Sequence, residues 1–422
     1  MASTFTNSVR APNSPAKLAP QTASKSFHFE RVDALRGLAI LGVFLYHYWL
    51  AVSKGPLSEM AHLGRLASPL LWPHQFGMLG VKLFFVISGF CIHGSFLNWQ
   101  KRNPSESLKN YWKTFAHRRF WRIIPPYLLA LLAFYIMQYK GTAFDFKSIR
   151  HLLIHASLIQ IFNPAFEFNI NPSFWSIAVE CHLYMIYPLF LMMVLRRSLL
   201  TAFMVASAIS IFFHLGLPLL TSSFGPQQLP FSWWYDWTIG ACVAQAFAEK
   251  RRLFGKFSFV LGCLSIVVGA VSFRFGIHLL LTWIAPPLGF AMILEASLWS
   301  ARPLNLVERW LSALGLCSYS FYLIHQPLVG VYVAVLPHFG GLNTFSVWIL
   351  YCTPLFAALC TLSYTFYHWL EIGSVKLGDK IWEVLKPVDP REGTVCKAGS
   401  PNLTASAGAT VVSPRPTEPA GT

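Results

Sequence analysis

Charge is scarce in this chain, and acidic charge scarcest: 17 Asp and Glu stand against 33 Lys and Arg among 422 residues. Charged side chains make up 12% of the chain and apolar ones 55%. A soluble chain of this length carries about 25% charged residues and divides into two or three domains. The composition therefore argues against an ordinary soluble enzyme. No CxxC pair or metal-ligand spacing is present, so no metal is expected. Of the 8 cysteines, Cys91, Cys181, Cys242, Cys263, Cys317, Cys352 and Cys360 fall in apolar stretches and Cys396 near the end, where they read as small packing residues. No period of about 20–50 residues signals tandem repeats. Residues 1–27 contain no apolar stretch that could act as a signal peptide.

What is present is apolar sequence in blocks: Leu35–Val52, Leu79–Leu97, Ile123–Tyr139, Phe174–Leu195, Leu199–Leu220, Trp233–Ala248, Phe257–Phe273, Leu279–Trp299, Leu311–Leu336 and Phe345–Leu370. Each is near the ~20 residues that cross a hydrocarbon core about 30 Å thick. The fold class expected is an all-α integral membrane protein of about ten transmembrane helices. One further stretch, His151–Phe162, is too short to classify by hydropathy alone.

Charge decides the threading. Lys101, Arg102, Lys109, Lys113, Arg118 and Arg119 occupy one link; Arg196–Arg197, Lys250–Arg252 with Lys256, and Arg302 with Arg309 occupy three others. If His151–Phe162 does not cross, all four lie on one side with both termini; if it crosses, the last three move to the opposite face. Basic links favour the cytoplasm, so ten spans with both ends cytoplasmic is the expectation, in a cell (inner or plasma) membrane. The links Ser53–Met78, Lys140–Ser173, Thr221–Ser232 and Pro337–Asn343 are then external.

The net charge of +16 is thereby accounted for as positive-inside bias and basic termini facing an anionic leaflet. Because these charges are dispersed over links, no nucleic-acid partner is expected. Residues 1–27 and 386–422 read as disordered from their Ser, Thr, Ala and Pro content, leaving 28–385 as the membrane domain. The Asn402-Leu-Thr acceptor pattern falls on the expected cytoplasmic side, where glycosylation does not reach.

Polar groups within apolar spans are costly and mark sites by default. Four clusters stand out. In the first, Arg31, Asp33 and Arg36 precede His47, which lies eleven positions after Arg36. On a helix that spacing is three turns and about 16 Å of rise with little angular offset. Both side chains share a stripe, Arg36 near the inner interface and His47 near mid-membrane. An arginine alone would snorkel to lipid phosphates; a histidine this deep, aligned with it, points to proton chemistry.

The second cluster is His117-Arg118-Arg119-Phe-Trp-Arg122, followed by Pro125-Pro126. Arg119 and Arg122 are one turn apart and share a face. Two guanidinium forks there suit phosphate groups, although a basic stop signal would need arginine too. The third is Asn171-Pro-Ser-Phe-Trp175-Ser176-Ile-Ala-Val-Glu180. For Glu180 three roles are open: orienting His47, acting as acid or base, or pairing with a neighbouring span. The fourth is Ser318-Tyr319-Ser320-Phe-Tyr322-Leu-Ile-His325-Gln-Pro327, where Tyr322 and His325 share a face. Such residues hold helices together in lipid or line a polar cavity. Isolated His93, His182, His214 and His278 read as structural.

Together these clusters resemble the acyltransferase-3 family, ten-helix membrane enzymes that O-acylate cell-surface polysaccharides and other glycans. The resemblance runs from about Arg31 to Glu371, with motifs in family order. Arg36 and His47 match the Arg-x10-His of the first helix, and Arg119 and Arg122 the Arg-x-x-Arg of the third. Trp175, Ser176 and Glu180 match a Trp-Ser-Leu-x-x-Glu stretch with Ile177 for Leu. Ser318 to Pro327 match Ser-Tyr-Ser-Leu-Tyr-x-x-His-x-Pro with Phe321 for Leu, and Glu371 matches a late acidic residue. One departure is Cys181, where many members carry a second acidic residue.

The resemblance implies acyl-CoA, first of all acetyl-CoA, as donor substrate, with no tightly bound cofactor. It implies a saccharide or glycolipid acceptor, with the lipid bilayer as the other partner. It assigns catalysis to His47 with Arg36 and Glu180, donor binding to Arg118, Arg119 and Arg122, and the acceptor side of the cavity to Asp33, Trp175, Ser176, Tyr319, Ser320, Tyr322 and His325. His47 would deprotonate the acceptor hydroxyl or briefly carry the acyl group. Many members have a fused extracellular domain; its absence here leads to the expectation that the membrane domain acts alone or hands on to a separate extracytoplasmic transferase. The rival reading is a proton-coupled exporter of a sugar or small acid, against which stands the lack of an internal two-fold repeat in hydropathy.

Overall fold

The computed structural model describes residues 30–54, 77, 79–217, 229–277, 279–335 and 344–385. His278, the segments 1–27 and 386–422, and most of the links Ser53–Met78, Thr221–Ser232 and Pro337–Asn343 lie outside them. Among the described residues there are helices and no strands. Seven helical stretches are long and apolar enough to cross a membrane. Five are α1 (Glu30–Lys54), α2 (Leu79–Arg102), α3 (Leu108–Gln138), α5 (Phe174–Arg196) and α8 (Ser258–Phe275). The others are α9 (Leu279–Leu298) and α6 (Leu199–Ile211), which a π-helical turn extends over Phe212–Gly216. Stacked apolar helices of this length make a multi-pass membrane protein.

The three remaining expected crossings fall on helices of other shapes. A 3₁₀ turn over Pro230–Trp233 leads into α7 (Trp234–Ala248). The block Leu311–Leu336, expected as one span, is two helices, α10 (Leu306–Leu316) and α11 (Ser318–Val335), broken at Cys317. The amphipathic α10 starts at a capping box: Asn305 Oδ1 accepts the Glu308 amide at 2.8 Å and Glu308 returns to the Asn305 amide at 2.9 Å. α12 (Thr344–Phe366) continues through a π-helical turn, Tyr367–Glu371, into α13 (Ile372–Leu385). Residues 1–378 and 379–422 form separate compact units; of the second, residues 379–385 are described, as the last turns of α13.

The short stretch His151–Phe162 is α4 (Phe146–Ala156) and a 3₁₀ turn, Gln160–Phe162. Eleven residues rise only about 16 Å, half of a bilayer core, so this helix does not cross by itself.

α3 differs most from its sequence expectation. It begins at Leu108, well before Ile123, and runs on through Pro125 and Pro126, so Arg118, Arg119 and Arg122 sit in the helix body. Pro125 has no amide to give the Trp121 carbonyl one turn back. Ser374 Oγ donates to that carbonyl at 2.7 Å instead. Neighbouring helices commonly rescue proline in this way in membranes.

Helices approach closely where glycine permits. α2 crosses α7 at Gly89 and Gly240: a Cβ on Gly89 would overlap the Trp237 carbonyl, and one on Gly240 the Val86 carbonyl. α1 crosses α10 likewise through Gly37 and Gly315. Small residues at such crossings are the usual membrane solution, because packing rather than hydrophobicity joins helices in lipid. The main apolar core, including Phe44, Tyr127, Phe174, Tyr187 and Phe321, lies between α1, α3, α5 and α11.

Candidate active site

Helices α1, α2 and α3 each contribute side chains to two adjoining cavities. One, of about 110 Å³, is lined by Arg36, Ser88, Arg119, Arg122, Glu180 and Tyr322 among others. The second, of about 360 Å³, is lined by Asp33, Arg36, Arg122, Tyr367, Glu371 and Lys376 among others. Arg36, Cys91 and Arg122 border both, so the two form one path walled by guanidinium groups.

Each arginine on this path has a neighbour that fixes it. Arg36 donates to Asp33 Oδ1 at 2.8 Å and contacts Cys91 Sγ at 3.1 Å. Arg122 Nε donates to Glu371 Oε1 at 3.4 Å, and Ser320 Oγ donates to the other Glu371 oxygen at 3.3 Å. The π-helical turn of Tyr367–Glu371 carries Glu371; such turns are rare and concentrate at functional positions. Arg119 lies over the Tyr184 ring at 5.4 Å and the Phe115 ring at 5.9 Å. Arg118 stands apart: it is exposed and borders neither cavity.

Glu180 accepts from Ser88 Oγ at 2.9 Å and from Tyr184 Oη. Neither partner is His47, so of the roles open to this carboxylate, orienting His47 directly is the one the geometry does not provide. Ser176 Oγ and Tyr322 Oη share a hydrogen bond of 2.6 Å. Tyr319 Oη donates to the Ile123 carbonyl at 2.8 Å, tying α11 to the proline turn of α3. Trp175 borders neither cavity and packs on Trp233, ring centroids 5.4 Å apart. Asp33, read with the acceptor side, borders the second cavity beside Arg36 and Arg122.

Beyond Tyr322 comes a histidine pair. His47 Nδ1 is 3.0 Å from His325 Nε2. His325 Nδ1 is 2.9 Å from the Tyr322 carbonyl, and His47 Nδ1 is 3.0 Å from the Val43 carbonyl. A carbonyl can only accept, so in each neutral ring Nδ1 carries the proton. His325 Nε2 is then a lone-pair acceptor, and His47 Nδ1–H serves both it and Val43. The consequence is a free lone pair on His47 Nε2, which has no hydrogen-bond partner among the described residues. That is the state a general base or nucleophile requires.

Several site residues escaped the sequence reading. Ser88 and Tyr184, the partners of Glu180, carry no signal distinguishing them from other span residues. Lys82 and Asp236 did carry one, being charges inside apolar blocks. They form a buried pair, Nζ to Oδ2 at 3.1 Å. His93 bridges Tyr187 Oη at 3.2 Å and Gln245 Oε1 at 3.0 Å. Among the described residues no group of His, Cys, Asp and Glu is arranged to hold a metal.

The acyltransferase domain family matches residues 29–368. A peptidoglycan O-acetyltransferase, OatA, of Listeria monocytogenes is 29% identical over 178 residues, 39% of this chain and 24% of the relative. An O-acetyltransferase OatA of Staphylococcus aureus is 25% identical over 340 residues, 71% of this chain and 50% of the relative. The chain thus spans half or less of the length of these curated relatives. No solved structure matches it.

Proposed function

This chain belongs to the acyltransferase-3 family, and from that premise we propose that it moves an acyl group, acetyl first of all, from acyl-CoA to a hydroxyl of a cell-surface or exported saccharide. The observation that carries the reading is the tautomer imposed on His47, which leaves an imidazole lone pair on the partner of His325, whose ring lies 5.3 Å from that of Tyr322 on the arginine-walled path. The relatives' printed names, which include a peptidoglycan O-acetyltransferase, support a saccharide acceptor.

In this reading ten helices cross the inner or plasma membrane with both ends cytoplasmic. The seven evident spans are joined by Pro230–Ala248, Ser318–Val335 and Thr344–Phe366. Arg36, Arg119 and Arg122 then receive the CoA phosphates at the inner face, where each charge-assisted contact contributes about 1.5–3 kcal/mol. Asp33 and Glu371 hold Arg36 and Arg122 in place. His47 Nε2 takes the proton of the acceptor hydroxyl as its oxygen bonds to the thioester carbonyl carbon. The C–S bond breaks, and the proton passes to the leaving CoA thiolate. Tyr322, hydrogen-bonded to Ser176 and adjoining His325, borders the reacting centre, and Trp175 offers a ring face to a sugar.

The test is transfer of radiolabelled acetyl from acetyl-CoA into a glycan acceptor by the full chain in nanodiscs. Label in the glycan with release of one CoA per acetyl supports the reading. Absence of acetyl-CoA binding overturns it and favours a carrier.

A further inference from the structure

A third cavity, of about 620 Å³, lies away from the arginine path between α6, α7 and α9. Its shape is set by residues the acyl-transfer reading does not use. Leu200 and Met204 border it, yet are 68% and 59% exposed, so it opens sideways through α6 into the bilayer. It runs from Leu199 and Arg251 at one end to His214, Asp236 and Trp283 at the other. From Leu199 to His214 a helix rises about 22 Å, more than half of the ~30 Å hydrocarbon core. The chain of a phospholipid in one leaflet would end short of it.

The far end of this groove is polar, which plain lipid does not require. Asp236 is paired there with Lys82, whose ammonium sits over the Trp233 and Trp283 rings at 4.8 and 4.5 Å. His214, on the π-helical turn Phe212–Gly216, is 9% exposed; its Nδ1 meets the Ser210 carbonyl at 2.9 Å, while Nε2 has no partner among the described residues. From this end an aromatic run leads to the candidate site. Trp283 meets Trp233 at 6.1 Å between centroids, and Trp233 meets Trp175 at 5.4 Å and Phe85 at 5.0 Å. Phe85 borders the cavity that holds Glu180 and Tyr322.

We infer that this groove takes the long aliphatic or isoprenoid chain of a lipid-linked saccharide, which enters from the bilayer across α6. The groove seats the chain. The polar end receives the saccharide, on the side of the groove from which the Trp283–Trp233–Trp175 contacts run toward the candidate site. This assignment deepens, and rests on, the acyl-transfer reading.

The test uses the full chain in phosphatidylcholine nanodiscs and an eicosyl β-glucoside with a diazirine at the chain end. Photolabelling is expected to be saturable, to fall on the α6 and α9 peptides, and to be competed by unlabelled eicosyl glucoside but not by methyl glucoside. Ser207→Phe, which narrows the groove, is expected to raise the half-saturation of labelling about ten-fold, while Leu261→Phe on the outer face of α8 leaves it unchanged. Acetyl transfer to the eicosyl glucoside should show a KM about ten-fold higher in Ser207→Phe, a loss of about 1.4 kcal/mol, with transfer to methyl glucoside unaltered. Unsaturable label spread over all lipid-facing helices overturns the inference, as does equal competition by phosphatidylglycerol. Specific labelling without transfer to any glucoside upholds the groove as a chain site and counts against the acyl-transfer reading instead.

Discussion

His47 Nδ1 lies 3.0 Å from His325 Nε2, and each ring also meets a main-chain carbonyl. In the proposed reading the second histidine is a positioning residue that fixes the tautomer of the first. Replacing His325 with Ala should lower kcat about 10²-fold, within the range for general acid–base effects, with the KM for acyl-CoA little changed. His325→Gln keeps an acceptor for the His47 Nδ1 proton and should recover part of the loss. A merely structural role predicts equal damage from both. Steady-state kinetics of the two variants separates these outcomes.

In the proposed reading, donor binding discriminates among three neighbouring arginines. Arg119→Ala with Arg122→Ala should weaken CoA binding by about 10²-fold, on the scale of two charge-assisted hydrogen bonds. Arg118→Ala, exposed and outside both cavities, should leave it unchanged. Isothermal titration with CoA measures both; equal affinity across all variants contradicts the assignment.

The arginines also show how legibility in the sequence had limits. Their i, i+3 spacing identified a shared face correctly. The helix containing them could not be bounded, because proline usually ends a helix and here Ser374, over 200 residues away in sequence, satisfies the carbonyl Pro125 leaves free. Apolar block length exposed most spans, since a bilayer imposes it directly. The break at Cys317 was illegible because the blocks on either side are both apolar. Arg36 and His47 were legible as a stripe on one helix; His47 and His325, on α1 and α11, meet only through tertiary packing. Asp33 was visible as a polar residue, but its partner Arg36, one turn on, decides its place among the arginines.

Lys82 and Asp236 are 7% and 3% exposed. Lys82→Met alone strands a buried carboxylate and should destabilise the protein by about 3–5 kcal/mol. Lys82→Met combined with Asp236→Leu should recover most of that. Thermal unfolding in detergent tests it, and a double variant no better than the single contradicts the pairing.

Glu167 lies in the link between α3 and α5, where burial raises its carboxyl to about 7. The unfolded chain then releases this proton at lower pH than the folded one. Its contribution to stability is therefore present in acid, declines above the ordinary carboxyl range and is gone above about pH 7. Once exchange is corrected for its base-catalysed intrinsic rate, protection over residues 140–173 should be lower at pH 8 than at pH 5, and Glu167→Gln should remove that difference in protection.

Threading is checked at Phe144, which is 93% exposed on the expected external side. In a variant whose native cysteines are removed, Phe144→Cys should react with a membrane-impermeant maleimide in intact cells. Labelling only after permeabilisation contradicts ten crossings with both ends inside.

In the proposed mechanism His47 Nε2 performs the proton transfer of acyl exchange. The most direct measurement compares wild type with His47→Ala in nanodiscs, following radiolabelled acetyl from acetyl-CoA into a glycan alongside CoA affinity. Transfer is expected to fall by about 10²–10⁴-fold while CoA still binds with wild-type affinity. Undiminished transfer by His47→Ala would contradict this mechanism.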